Sequence, residues 1–402
     1  MRIGVWVLVV AGAVGGESWP EFRGPTGQGQ AEGKGLPEKW SETSNVAWKT
    51  AVPGKGWSSP VVEGGRIWLT TAVEEGKARS LRLLGYNLET GKPERDIEVF
   101  RLEDLPAAHA KNSYASPTPV VEGERVYVHF GLATAAVKTT GEVLWRHWNR
   151  YNWVHGAGGS PVVYGELMIF SCDGADEQYV VALDKGTGAV RWKKPRPKPA
   201  YMAYSTPLVI RTASGDQLIS VGGHQAVAYN PATGEELWLV EYGEGFSNVP
   251  RPVMVNGLVL ICTGFYQPEL LAVRPDGRGN VTKTHVVWRV GRGVPLTPSP
   301  VVAGEEVYMV SDNGIVTAVE GGTGRIVYRE RVGGNYSASP VHADGRLYFA
   351  SEEGEVQVVA AGRQFRLLAR NSLDGQLFAS PAVVGRALIL RTSQALYRIQ
   401  QR

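Results

Sequence analysis

The chain has 402 residues, 43% of them hydrophobic and 20% charged, which excludes an intrinsically disordered protein. Its formal net charge of +3 is too small to argue for nucleic-acid binding, and two cysteines exclude a disulfide scaffold and a cysteine-rich zinc module. Fifty glycines, 24 prolines and 12 tryptophans describe many tight turns punctuated by aromatics, the composition of an all-β protein.

In chain order, Met1-Arg2 precedes an apolar run, Ile3–Val14, that ends among small residues at Gly12–Gly16. One positive charge, a short apolar core and a small-residue exit predict a secretory signal peptide over residues 1–16. The run is shorter than the roughly 20 residues a membrane-spanning helix needs. It contains no cysteine, so no lipid anchor is expected, and no later stretch reads as a transmembrane segment. The mature protein is expected to be periplasmic or secreted. Residues 17–44 read as an N-terminal extension and 45–402 as one repeat array.

The repeat announces itself as [Ser/Thr/Arg]-Pro followed by apolar residues, with prolines at 60, 119, 161, 207, 252, 300, 340 and 381. The period is about 46 residues. In each copy a short strand starts at the proline, which is tolerated at a strand's first position. A glycine turn follows, such as Ala343-Asp344-Gly345, then an alternating strand, such as Arg346-Leu347-Tyr348-Phe349. After a second turn, such as Asp312-Asn313-Gly314, comes a third strand, Val316–Val319 in that copy. A Thr-Gly turn then leads to a fourth strand with an aromatic four positions after the glycine: Gly141 and Trp145, Gly188 and Trp192, Gly234 and Trp238, Gly324 and Tyr328. Glycine supplies the positive φ of the turn, and the fixed aromatic packs between neighbouring sheets. Serines before proline recur in most copies, which makes them hydrogen-bonding groups at the strand entry and not nucleophiles.

Four strands cannot bury both faces alone, so neighbouring copies stack radially. The expected fold is all-β: a single eight-bladed β-propeller of four-stranded antiparallel blades. The last copy stops at a third strand, Leu396–Ile399, and Val46–Thr50 is an orphan fourth strand carrying Trp48. An N-terminal strand is therefore expected to close the ring and remove an open edge.

The pattern Ser-Pro-Val-Val, Gly-x-[Ile/Val]-[Trp/Tyr] and Ala-Leu-Asp-x-x-Thr-Gly-x-x-x-Trp, clearest at 160–192 and 205–238, resembles the PQQ-like β-propeller repeat family over about residues 45–400. Trp19-Pro20-Glu21-Phe22-Arg23-Gly24-Pro25 resembles a segment that precedes the propeller in many exported bacterial members. The resemblance implies two kinds of activity. Quinoprotein dehydrogenases of the family hold PQQ and Ca²⁺ in the funnel beside an Asp base. Barrel-assembly lipoproteins bind protein partners and no cofactor.

The loops entering the innermost strands should line such a funnel, and none of them contains Asp or Glu. Glu244 and Asp374 lie just outside, and Cys172 and Cys262 are far apart, fitting small buried hydrophobes. No catalytic residue, metal ligand or cofactor is therefore expected; PQQ with Ca²⁺ belongs to the alternative reading. The same loops are rich in aromatics and bases. Lys55, Trp57, Lys111, Tyr114, Trp153, His155, Tyr204, Phe246, Arg251, Arg292, Tyr336 and Phe378 are the expected ligand- or partner-binding residues, about half of the aromatics serving as inter-blade wedges. Lys193, Lys194, Arg196 and Lys198 add to the basic excess within a proline-rich insertion that reads as an exposed stiff loop. Glu352 and Glu353 are expected in a turn away from the channel.

These features read together as an exported, non-enzymatic, monomeric scaffold for a protein or polysaccharide partner. A PQQ-dependent oxidoreductase and a carbohydrate-binding or carbohydrate-acting propeller are the alternatives.

Overall fold

A computed structural model describes residues 18–401; the expected signal peptide lies outside the described residues. Within them the regular structure is strand throughout, arranged as eight sheets. No helix among them is long and apolar enough to cross a membrane. Blade 1 comprises Val61–Glu63, Arg66–Glu75, Ala78–Asn87 and Pro93–Glu103, from the channel outward. Blades 2 to 7 repeat this meander, starting at Val120, Val162, Leu208, Val253, Val301 and Val341.

Blade 8 takes three strands from the C-terminus, Ala382–Val384, Ala387–Arg391 and Ala395–Gln400, and its outermost strand, Val46–Ala51, from the N-terminus. The register of the closing pair is antiparallel, with Trp48 opposite Arg398 and Thr50 opposite Leu396. Two blades carry one strand beyond the expected four. Gly279–Asn280 lies parallel to Glu236–Glu241 on the outer edge of blade 4, and Gln30–Ala31 lies parallel to Val341–Ala343 on the inner edge of blade 7.

The Thr-Gly-to-Trp spacing has a physical cause at the seams between blades. Trp145 of blade 2 lies against Gly188 of blade 3, where an added Cβ would stand 2.6 Å from the indole. Its Nε1 donates to the Lys185 carbonyl at 3.1 Å. Trp192 uses Gly234 and the Pro231 carbonyl, Trp288 uses Gly324 and the Gly321 carbonyl, and Trp48 uses Gly91 and the Leu88 carbonyl. Each glycine has φ near +70° (Gly188, +75°), so it must both turn the chain and lie flat under the ring. A β-bulge just before each tryptophan re-aims it onto the next blade.

The residues before the prolines form a hydrogen-bonded ring around the channel. The backbone N–H of Ser59 donates to the Thr118 hydroxyl, that of Thr118 to Ser160, and that of Ser160 to Thr206. The sequence resumes from Arg251 to Ser299, Ser339, Ser380 and back to Ser59, all at 2.9–3.0 Å. The one break is between Thr206 and Arg251, where the repeat has an arginine in place of Ser or Thr.

That arginine anchors the N-terminal segment, which crosses the channel beside the innermost strands, beneath the loops that enter them; this side is here called the floor. Trp19 forms a two-bond bridge with Val62 of blade 1, and the Pro20 carbonyl accepts from Val121 of blade 2. Arg251 donates to the Pro207 carbonyl of blade 4, to the Phe22 carbonyl and to Glu21. Arg23 reaches the Pro300 and Pro340 carbonyls of blades 6 and 7 at 2.6 and 3.3 Å. Gly27 and Gly29 are required because a Cβ at either would stand 2.6 Å from a guanidinium nitrogen of Arg251 or Arg23. Past Gln30, the chain passes blade 8 at Gly33, packs Trp40 on Tyr348 and enters the closing strand.

Candidate functional site: the channel mouth

In an up-and-down blade, the first strand runs from mouth to floor and the second returns. Connections between blades and turns between second and third strands therefore share the mouth. The structure follows this rule. The connection at Lys55 pairs with Ala72 at the tip of blade 1, and Tyr201 pairs with Gly223. Phe246 pairs with Phe265 in the same way.

This corrects the expected position of Glu352. Its turn stands at the mouth, and its carboxylate accepts from Lys111 Nζ at 2.8 Å and from the Ser337 hydroxyl at 2.6 Å. Lys111 belongs to the connection from blade 1 to blade 2, so this ion pair spans from there to blade 7. The same connection donates from His109 N to the His155 carbonyl and from Asn112 Nδ2 to the His155 and Ala157 carbonyls. Residues 104–116 thus form a strap against the blade 3 entry and the blade 7 turn.

The candidate residues separate into three groups. Lys55, Trp57 and Phe378 meet at the seam of blades 8 and 1: the two rings stack at 4.6 Å and Lys55 Nζ lies 5.6 Å from the Trp57 ring. Tyr114, His155, Tyr204 and Phe246 are half-buried at the mouth, and Lys111 and Arg292 are exposed. His155 stands between His109 and Tyr204, at ring distances of 5.4 and 5.9 Å. Burial, and secondly His109, pull its imidazole below the usual value, which favours the neutral ring near pH 7.

Three candidates are not displayed, because packing claims them. Tyr336 is fully buried as a wedge between blades 6 and 7. Trp153 is buried, its ring 2.7 Å from where a Gly131 Cβ would stand. Arg251 is 2% exposed and serves the floor, as described. Arg196 is also buried, in a two-bond ion pair with Asp173 at 2.6 and 2.8 Å. The proline-rich insertion around it is pinned to its neighbours: Lys198 Nζ donates to Gln178, and Gln225 Nε2 to the Pro199 carbonyl.

Sequence reasoning missed the most exposed aromatic group. Tyr201 meets His224 and Phe246, Phe246 meets Phe265, and Phe265 meets Tyr266, at centroid distances of 5.3 to 6.5 Å. Phe265 is 50% exposed and Tyr266 64%. Tyr266 also sits at φ +89°, a conformation strained for a side chain of its size. The readable signal was two adjacent aromatics inside a turn, Thr263-Gly264-Phe265-Tyr266-Gln267, where no core position is available.

Oxygen ligands for a hard cation do not gather here. Asp312 accepts from the Leu296 and Thr297 amides, Glu353 from Asn335, and Glu352 from Lys111 and Ser337. Asp173 is held by Arg196. Among the described residues no three His, Cys, Asp or Glu side chains come together as a metal site. The carboxylates present thus do not fit a quinone–calcium pair, which would need several oxygen ligands at one place. Cys172 and Cys262 are free and buried, and burial pushes both thiols up, away from reactivity.

Comparison with known proteins places this geometry among relatives of two kinds. An outer membrane protein assembly factor BamB from Burkholderia pseudomallei is 34% identical over 109 residues, 26% of this chain and 28% of that protein. A quinoprotein ethanol dehydrogenase from Pseudomonas aeruginosa is 31% identical over 146 residues, 33% of this chain and 21% of the relative. The chain thus spans well under half the length of these curated relatives. Among solved structures, BamB from Moraxella catarrhalis superposes with TM-score 0.61 at 14% identity, covering 89% of this chain and 98% of that one. Quinohemoprotein alcohol dehydrogenase from Comamonas testosteroni gives TM-score 0.68 at 10% identity, covering 96% and 81%. At such identities these two likenesses concern the fold alone. The family model described as outer membrane protein assembly factor BamB matches residues 31–148, 105–284 and 280–400, so the chain belongs to this family of PQQ-like β-propellers.

Proposed function

We propose that the protein is an exported, non-enzymatic scaffold that docks a protein partner at its channel mouth, in an assembly process related to that named for its outer-membrane relatives. The observation that carries this reading is the aromatic row Tyr201–Phe246–Phe265–Tyr266. A folded chain gains nothing for its own stability by holding Tyr266 in a strained turn with its ring in water. Large, rigid aromatic side chains at a surface supply contact area at low entropic cost, as interface centres do. The floor is closed by the chain's own N-terminal segment, which leaves the mouth as the accessible end. On this reading the protein acts in the periplasm or outside the cell, as a monomer, without a cofactor.

The test is retention of envelope proteins by the immobilised mature protein, compared with Phe265→Ser and Tyr266→Ser. A discrete protein retained by the parent and lost by both variants is expected. Retention of polysaccharide alone would move the reading to a glycan-binding propeller. Calcium-dependent PQQ binding with alcohol turnover would overturn it in favour of an oxidoreductase.

A further inference from the structure

Beyond the docking row, the mouth contains a separate cleft of about 230 Å³ between the tip of blade 1 and the 104–116 strap. The long second and third strands of blade 1, Arg66–Glu75 and Ala78–Asn87, supply one wall with Ala72, Glu74 and Arg79. Lys55 enters from the paired connection, and the strap contributes Ala107–Ala110 and Asn112–Tyr114.

The polar groups facing this space divide into those already used and those still able to donate. Asn112 Nδ2 is committed to the His155 and Ala157 carbonyls, and the Ser113 hydroxyl to Ser116. Lys55 is exposed and held over Trp57. The Arg79 guanidinium lies 5.7 Å from the Tyr114 ring centroid. His109 Nδ1 accepts from the Lys111 amide at 3.2 Å, which leaves Nε2 as the ring's N–H donor. The single carboxylate is Glu74, which bridges Arg79 at 3.1 Å while its side chain stays 76% exposed.

We propose that this cleft binds a small organic solute bearing an oxyanion, a carboxylate or a phosphate monoester. The walls offer donors and positive charge, with four alanines, Ala72, Ala107, Ala108 and Ala110, as the apolar surface for the rest of the molecule. Both cations are oriented by aromatic rings, which limits the entropy lost when they engage an anion. Its volume lies just below the range of small-molecule pockets, which restricts the ligand to roughly sugar size. Glu74 competes with the ligand for Arg79, so its removal strengthens the site.

The experiment is calorimetric or ligand-observed NMR titration of the mature protein at low salt with glucuronate, glucose 6-phosphate and glucose. One or both anions should bind while glucose does not, and which anion binds identifies the oxyanion. Lys55→Gln and Arg79→Gln should each weaken binding by about tenfold, since a charge-assisted hydrogen bond is lost. Glu74→Gln should tighten it by about threefold. Tightening is an outcome that a merely structural role would not produce, and the exposed Lys55 and Glu74 decide the matter if Arg79→Gln does not fold. No binding of either anion, equal binding of glucose, or affinities unchanged in the three variants would overturn the proposal. Partner retention through Phe265 and Tyr266 should survive all three substitutions, so failure here and failure of the docking surface are told apart.

Discussion

The floor and the mouth end the same channel with opposite chemistry. At the floor, irregular chain is drawn inward: Trp19, Arg23 and Arg251 are almost wholly buried, and both guanidinium groups are satisfied largely by main-chain carbonyls. At the mouth, aromatic side chains are pushed outward and Glu352 and Glu353 lie in a turn, with the buried Arg196–Asp173 pair as the exception. Burying cations is expensive unless they are bonded, so these two, although Arg23 Nε is left without a partner, hold the floor to a narrow choice of arrangements. Exposed rings cost little to rearrange, so the mouth can vary without unfolding the ring. The difference separates residues that hold the molecule together from residues free to serve a partner.

The sharpest way to break this comparison is to remove the floor. Deletion of residues 18–50 takes away both the segment across the channel and the outermost strand of blade 8. It should cost more than about 5 kcal/mol, beyond what single substitutions usually reach. Loss of a cooperative thermal transition is the expected readout, and an unchanged melting temperature would show that the floor is ornamental. Arg251→Ser is the finer version. It restores the hydroxyl that the other blades carry but leaves Glu21 without its cation, and should cost about 3–5 kcal/mol in urea unfolding.

Next in size is the seam. Gly188→Ala places a methyl against the Trp145 indole at φ +75°, and should cost about 2–4 kcal/mol by strain and displaced packing. An equal loss from Gly123→Ala, where a Cβ meets open space at φ +58°, would attribute the effect to backbone strain alone.

His129 gives a pH test of burial. Its ring is 1% exposed and bonded to the Thr134 hydroxyl at 2.8 Å. Burial first, and His147 second, pull it down to about 3, from 6.5. Between those values the unfolded chain binds a proton that the folded chain refuses, so its contribution to stability is complete above pH 6.5 and is lost progressively as pH falls towards 3. His129→Gln should cost about 1 kcal/mol at pH 7 and flatten the acid limb of the melting-temperature profile. An unchanged limb would assign the pH dependence to other groups.

The smallest effect belongs to the mouth. Tyr266→Gly should raise stability by about 1 kcal/mol, because glycine accepts positive φ without strain, while partner binding falls. A loss of stability there would mean that the aromatic row supports the fold, and the contrast between the two ends would disappear.

Much of this was legible because it repeats. Pro60, Pro119 and their successors marked each innermost strand, and the orphan Trp48 marked the closing strand. The residues before proline were readable as hydrogen-bonding groups because so many blades used the same one. What does not repeat was harder to read. Arg251 occupies the place of a serine or threonine, and that position alone should have pointed it into the channel and not to the surface. The floor segment has no period, since it follows glycines whose need arises only from Arg23, Arg251 and Trp19 beside them. Glu352 carries no motif that marks its end of the channel; strand alternation alone turns every second-to-third connection to the mouth, its own included. Tyr336 and Trp153 could not be told from displayed aromatics by type; only the depth of their seams distinguishes them.

The break in the hydroxyl ring has a consequence for how the circle is indexed. Eight near-equivalent blades pose a problem of rotational phase: a segment laid across the axis could in principle settle against any of them. Seven of the eight positions offer the same donor and acceptor, so they carry no directional information. Arg251 alone differs, and it is Glu21 and the Phe22 carbonyl that meet it. Laid one blade out of phase, the segment would set Glu21 against a neutral hydroxyl and leave the Arg251 charge stranded inside the channel. The irregular blade thus works as a keyway, giving a nearly symmetric circle a unique origin from which the chain's two ends are counted into place.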